Sequence, residues 1–250
     1  MSAYRYKYYY DLHIHSALSP CADNDMTPNN IAGMGVLAGL NVMALTDHNS
    51  CKNCPAFFGA ARANGIVPVA GMELTTAEDI HAVCLFETLE GAMEFDRRID
   101  AGRMKVPNNV SVFGEQLITD GANNVIGQEA FFLPAASNVS IEEAPALAES
   151  FGGVCYPAHI DREANGIIAV LGALPPIPGV RCAEFYDSGK RYEYTREYPI
   201  LNGLRILVSS DAHNLWSIRD KDAFFELDLS PDAPETSVRR EIFRLLRGQI

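Results

Sequence analysis

Short apolar runs alternating with helical segments constrain this chain more than any other feature. Tyr8–Leu12, Val42–Thr46, Val67–Ala70, Ala82–Phe86, Val154–Tyr156, Ala183–Tyr186 and Ile206–Ser209 read as strands. Between or after them, Thr27–Gly39, Pro55–Asn64, Leu89–Ala101, Ile141–Phe151 and Ser237–Arg247 read as helices, with Pro28 behind Thr27 and Ser140 ahead of Ile141 as start signals. Such alternation predicts an α/β fold with a parallel sheet, open or closed into a barrel. The stretch from Val106 to Asn138 breaks the rhythm. Its apolar runs flank Asp120-Gly121 and Asn123-Asn124, the pattern of a β-hairpin or loop excursion over the barrel. No repeat, low-complexity tract or linker divides the sequence, so residues 1–250 are read as one domain.

Composition narrows the function classes. A net charge of −12 argues against holding long nucleic acid by phosphate neutralisation, which needs an excess of Lys and Arg on one face. No apolar stretch reaches the roughly 18 residues of a membrane span, and Met1–Tyr10 contains no apolar leader core. A cytoplasmic protein with free thiols is expected. Cys84, Cys155 and Cys182 lie in strand-like runs and read as small buried hydrophobes. Cys51 and Cys54 form a CxxC without a second ligand pair, so a loop entering a helix is the simpler reading than redox or zinc chemistry.

The six histidines fall at positions 13, 15, 48, 81, 159 and 213, each at or just beyond the end of a predicted strand or inside one. His13 and His15, two apart in DLHIH, share a face of an extended strand and can chelate one ion. Asp211 and His213 in SSDAH repeat that spacing, while Asp47-His48, Glu73, His81 and His159 sit at other strand ends. One histidine at a strand end is usually a core or hydrogen-bonded residue. Six, accompanied by carboxylates, point to a metal-binding mouth at which parallel strands converge. Imidazole with carboxylate suits zinc, manganese or iron, and magnesium less well. No nucleophile elbow, Walker A loop or dinucleotide fingerprint is present.

The ordered set DLHIH, TDHN, GME, His81, PAHIDR and SDAH resembles the PHP (polymerase and histidinol phosphatase) family of metal-dependent phosphoesterases. The resemblance implies a distorted seven-stranded (β/α)7 TIM-like barrel with two or three divalent metals at its mouth. It further implies that His13, His15, Glu73 and Asp211 hold one metal, that Glu73 bridges to a second held by His81 and His159, and that His48 and His213 hold a third. Family members complete the third position shortly after the first motif; here Pro20 interrupts the pattern, leaving Cys21, Asp23 or Asp25, with Cys21 at the matching offset. Asp11 and Asp47, beside the ligands, are expected to accept hydrogen bonds from imidazole N–H groups. Arg162 is the candidate for gripping a substrate phosphate, with Lys190 and Arg191 as weaker candidates.

The implied activity is hydrolysis of a small phosphate ester (a nucleotide, histidinol phosphate or sugar phosphate) by metal-activated water, with no general acid assigned. A short oligonucleotide is compatible with that reading. Two rivals stand beside it: an amidohydrolase-like metal hydrolase, and a non-catalytic metal-binding regulatory module. Oligomeric state is not legible.

Overall fold

The computed structural model describes residues 5–249, so the first four residues of the N-terminal stretch lie outside it. The elements in chain order are β1 (Tyr6–Asp11), α1 (Pro28–Leu37), β2 (Val42–Leu45), α2 (Cys54–Ala63), β3 (Val67–Thr75), β4 (His81–Phe86), α3 (Leu89–Gly102) and α4 (Val110–Phe113). Then come β5 (Leu117–Thr119), β6 (Val125–Gln128), α5 (Ala144–Ser150), β7 (Gly153–Pro157), α6 (Ile167–Leu171), β8 (Cys182–Phe185), α7 (Arg191–Glu197), β9 (Arg205–Val208), β10 (Phe224–Leu227) and α8 (Glu235–Leu246). All seven strands read from the sequence are present.

They form a curled, incompletely closed half-barrel. A six-stranded sheet runs in the order β10-β1-β2-β3-β4-β7, and β8 pairs in parallel with β9 as a separate ribbon. That ribbon joins the sheet on one side through a parallel bridge between Ile14 and Ala212. On the other side β7 and β8 share no ladder, and Glu184 spans the seam: its carbonyl accepts from Ile160 N–H (2.9 Å) and its carboxylate from His159 N–H (3.2 Å).

Strand direction departs from the all-parallel expectation. β4 runs antiparallel to both neighbours, β3 and β7. Its cause is local: residues 76–80 are too few for a crossover helix, and Asp79 in the left-handed region (φ 65°) turns the chain straight back. The start of β4 therefore lies at the same end as the finish of its parallel neighbours. β10, which the sequence reading passed over, is an antiparallel edge on β1. Helices α6 and α7 were passed over too.

Alternating side chains feed two cores, which is why the strands are apolar without interruption. Tyr10, Leu12, Val42, Ala44, Val69, Val83, Leu85, Tyr156, Cys182 and Leu207 fill the lumen together with Ile242, Phe243 and Leu246 of α8. α8 plugs the end opposite the histidines. Arg239 donates to the Pro68 and Glu87 carbonyls (both 3.2 Å), and the Cys182 thiol donates to the Leu246 carbonyl (3.4 Å). Outward-facing Met43, Leu45, Met72, Cys84 and Phe86 pack under Phe57 of α2 and Phe95 and Ile99 of α3. Cys51 and Cys54 belong to this outer core as free buried thiols, and the Cys51 thiol donates to the Gly71 carbonyl at 3.1 Å. They enter α2, as the simpler reading had it.

The 106–138 excursion is a hairpin of β5 and β6 closed by an Asp120 turn, whose carboxylate accepts from the N–H groups of Ala122 and Asn124. It docks beside the mouth. Leu117 N–H donates to the Ala17 carbonyl (2.7 Å), Asn53 brackets β5 from both sides, and Glu129 pairs with Lys52 and Arg103.

Candidate metal centre

The mouth is assembled by strand ends that continue past their ladders. The Ile14–Ala212 bridge sets His13 and His15 beside Asp211 and His213, and a second parallel bridge pairs His48 with Glu73. Glu73 ends a lumen-facing series that starts at Val69, while reversed β4 delivers His81 to the same height. Three residues here, Asn49 (φ 45°), His159 (φ 26°) and Asp211 (φ 51°), adopt left-handed backbone without being glycine, a strained conformation that the surrounding packing must enforce.

Glu73 is the hub. Its Oε1 lies 2.8 Å from His81 Nδ1, 3.0 Å from His159 Nε2 and 3.3 Å from His13 Nε2. Its Oε2 lies 2.9 Å from His48 Nδ1 and 3.3 Å from His15 Nε2. Asp211 Oδ1 stands 3.4 Å from His13 Nε2 and 3.2 Å from His15 Nε2, and those two nitrogens face each other at 3.2 Å. Three groups result in which the ligand atoms converge within 4.8 Å: His13, His15, Glu73 and Asp211; His48, Glu73 and His81; His15, His48 and His213. The sequence-derived set of eight thus meets in one place. His48 joins Glu73 and His81 in one of these groups, while His159 lies outside all three, its Nε2 meeting the same Glu73 Oε1 that His81 meets.

The third position differs in a second way. Cys21, Asp23 and Asp25 are exposed and enter none of the three groups, which His15 completes instead. Asp23 touches the site only through its backbone, donating to the His213 carbonyl at 2.8 Å.

Buried lone pairs without hydrogens to share are the physical test of whether cations fit. Glu73 Oε2, Asp211 Oδ1, His48 Nδ1 and His159 Nδ1 are buried with no hydrogen-bond partner, a costly state for polar atoms unless a positive charge sits among them. The electrostatics agree. Burial opposes protonation of His13, yet Glu184, then Glu73 and Asp211, raise its pKa well above the ordinary imidazole value. Against the same burial, the Asp211 and Glu73 carboxylates beside its Nε2 lift His15 to about 9. Burial, followed by repulsion from His15, lowers His213 to about 4. Burial would raise Glu73, but His81, His13 and His48 hold it well below the carboxylate range. The cluster draws in positive charge, and divalent cations would replace these protons on binding.

The groups behind the ligands differ from expectation. Asp11 accepts backbone N–H groups of Ser210 (3.0 Å) and Arg219 (3.3 Å) rather than an imidazole, so it ties β1 to the end of β9. Asp47 acts at one remove: His15 Nδ1 donates to the Ser19 hydroxyl (2.9 Å), which donates to Asp47 Oδ1 (2.7 Å). The imidazole of His13 is held instead by Glu184 (Nδ1 to Oε1, 2.8 Å), a residue the sequence reading missed. Its only sequence signal was a lone carboxylate inside the apolar run CAEF. Arg162 lies at the mouth, paired with Asp211 Oδ2 and stacked 4.8 Å above the Tyr186 ring. Lys190 donates to the Asp161 carbonyl (3.0 Å), and Arg191 is exposed at the start of α7.

Residues 11–127 match the PHP domain. An error-prone DNA polymerase of Symbiobacterium thermophilum is 31% identical over 93 residues, which are 37% of this chain and 8% of that protein. A lesion-specific endonuclease of Pyrococcus furiosus superposes with a TM-score of 0.64 at 17% identity, over 97% of this chain and 56% of that one. A Bifidobacterium adolescentis protein described as a metal-dependent phosphoesterase superposes with a TM-score of 0.56 at 16% identity, over 94% and 95% of the two chains. At such identities the superpositions speak for the fold. The chain spans about half the endonuclease and a small part of the polymerase.

Proposed function

We propose that this chain, which belongs to the PHP-domain family by its match over residues 11–127, is a metal-dependent hydrolase of phosphate esters. The observation that carries the reading is the three overlapping imidazole–carboxylate groups in one buried mouth. His13, His15, Glu73 and Asp211 would hold one cation; Glu73 with His48 and His81, approached by His159, a second; and His15, His48 and His213 a third. Zinc, manganese or iron suits these donors better than magnesium. Bound divalent ions supply Lewis acidity toward phosphoryl oxygens and acidify water at neutral pH.

The chain's own residues do the remainder. Ser19 with Asp47, and Glu184, fix the ring orientations of His15 and His13 so that both Nε2 atoms face the centre. Burial of Glu73 and Asp211 keeps bulk water from screening the charge they present. Arg162 stands with its guanidinium plane set by Tyr186, and an arriving phosphate would compete with Asp211 for its planar fork.

A small substrate is favoured by the acidic chain, whether a nucleotide, another phosphate monoester or a short oligonucleotide. Long nucleic acid is disfavoured. Among the described residues no helix is long and apolar enough to cross a membrane, and the six cysteines are free, which supports a cytoplasmic place. Continuity of the two cores through all the barrel strands supports one domain over residues 1–250. The test is a substrate panel of phosphate monoesters, phosphodiesters and cyclic amides, run with His13→Ala as control. Turnover of an ester that His13→Ala loses is the expected result; turnover of the amides alone would replace this reading with the amidohydrolase-like one.

A further inference from the structure

Trp216 is the chain's one tryptophan, and at 89% exposure it is the barest large apolar side chain among the described residues. Its position is not that of a loose loop tip. The 3-10 turn Leu215–Ser217 is capped by Asn214, whose Oδ1 accepts from Ser217 N–H (3.0 Å) and the Ser217 hydroxyl (2.9 Å). Leu215 packs on the outer core and Ile218 is buried beside it. Beyond the turn, Arg219 N–H donates to Asp11 Oδ2 (3.3 Å) and the Arg219 side chain to the Tyr186 carbonyl (2.7 Å). Upstream, the His213 carbonyl is held by Asp23. The backbone is pinned on both sides of the indole, yet no ring or cation among the described residues stacks on it.

An indole presents a large flat π-face whose burial is worth a substantial share of a binding energy. What sets this exposed ring apart is its place: it stands on a fixed turn three residues beyond His213, within reach of a ligand held at the mouth. Three residues reach at most about 10 Å, a span comparable to that from phosphate to base in a nucleotide. Asn214 and Ser217 beside the ring are polar, whereas a protein interface is marked by a contiguous apolar patch. With a net charge of −12, an anionic membrane surface is also disfavoured. Cations near the mouth, Arg162, Lys190 and Arg219, can meet the phosphate end.

We infer that Trp216 is a stacking platform for the base of the substrate, which makes the favoured substrate class nucleotides or short single strands rather than plain sugar phosphates. The inference rests on the phosphoesterase reading for its substrate but not for its readout. Because the tryptophan is unique, its fluorescence reports occupancy without turnover. Metal-stripped protein titrated with adenosine 5′-monophosphate, excited at the red edge of indole absorption, should show saturable quenching that ribose 5-phosphate does not produce. In the loaded enzyme, Trp216→Ala should raise KM for the nucleotide on the order of tenfold relative to that for ribose 5-phosphate, in line with the worth of one base–aromatic stack. Trp216→Phe should recover most of the difference. Quenching without turnover of any ester would keep the platform and sink the phosphoesterase reading. Ester turnover with no quenching and an unchanged KM ratio in Trp216→Ala would do the opposite. Equal quenching by both ligands would also overturn base stacking.

Discussion

Replacing Glu184 by Gln isolates the contribution of one buried charge to the metal centre. Glu184 Oε1 lies 2.8 Å from His13 Nδ1 and 3.2 Å from the His159 N–H, so a single oxygen fixes one ring and one backbone segment of the ligand set. Gln keeps the volume and a carbonyl acceptor, so both contacts can persist, and only their charge assistance is lost. Charged hydrogen bonds contribute about 1.5–3 kcal/mol and neutral ones about 1 kcal/mol, so the net cost is roughly 0.5–2 kcal/mol. At about 1.4 kcal/mol per decade, that weakens cation binding by about two- to thirtyfold, its upper part overlapping the range seen when partners behind ligands are altered. The assay is competition of metal-stripped protein against a chromophoric chelator for Mn2+ or Zn2+, with a thermal melt to check folding. A folded Glu184→Gln protein whose affinity stays within twofold of the parent would refute the argument, because the carboxylate would then contribute nothing through His13.

Arg162→Ala should lower kcat/KM for a phosphate ester about tenfold or more, with partial recovery in Arg162→Lys, because a point charge cannot reproduce the planar fork. Metal content should not fall, since Asp211 loses only a competitor for its Oδ2; unchanged kinetics would move the search for the phosphate clamp to Lys190. Burial would raise the Glu129 carboxyl, but Lys52 and then Arg103 hold it below its ordinary value. A lowered folded pKa makes this tie stabilising above the unfolded value of about 4.3 and weaker as pH falls through the folded one. Thermal stability should therefore drop more between pH 6 and pH 3 in the parent than in Glu129→Gln, and parallel curves would count against the tie. Gly71→Ala should cost about 1–3 kcal/mol of stability, since a Cβ there would stand 2.7 Å from the Thr46 methyl and 2.9 Å from the Cys84 carbonyl; an unchanged melting temperature would show that the barrel wall yields.

The barrel strands were legible because burial on both faces leaves unbroken apolar runs such as VMAL and HAVCLF. Direction was not, because an apolar run reads the same both ways. Only the five-residue gap between β3 and β4 held that information, and shortening β3 to Val67–Ala70 concealed it. β10 escaped notice because FFEL is a half-exposed edge, and α7 because RYEYTRE buries no residue fully. The convergence of His13, His15, Glu73, Asp211 and the other histidines followed from their spacing at strand ends. What lies behind them did not. Glu184 reaches His13 from 171 residues away across a seam without a ladder, and neither propensity nor periodicity encodes such a meeting. Cys21 fits the expected offset along the chain and its thiol lies within the field of Glu73 and Asp211, but it enters none of the three converging groups, and His15 stands with His48 and His213 in the third.

The central claim is that cations held in this mouth are required for ester hydrolysis. Counting bound manganese, iron or zinc per chain by elemental analysis while metal-stripped protein is reloaded, with hydrolysis of the best phosphate ester followed at each step, tests it most directly. Stripped protein should be inactive, and activity should rise with loading and level off at two or three ions per chain, matching the overlapping groups around Glu73. Full hydrolysis by stripped protein carrying only a trace of metal would contradict the account.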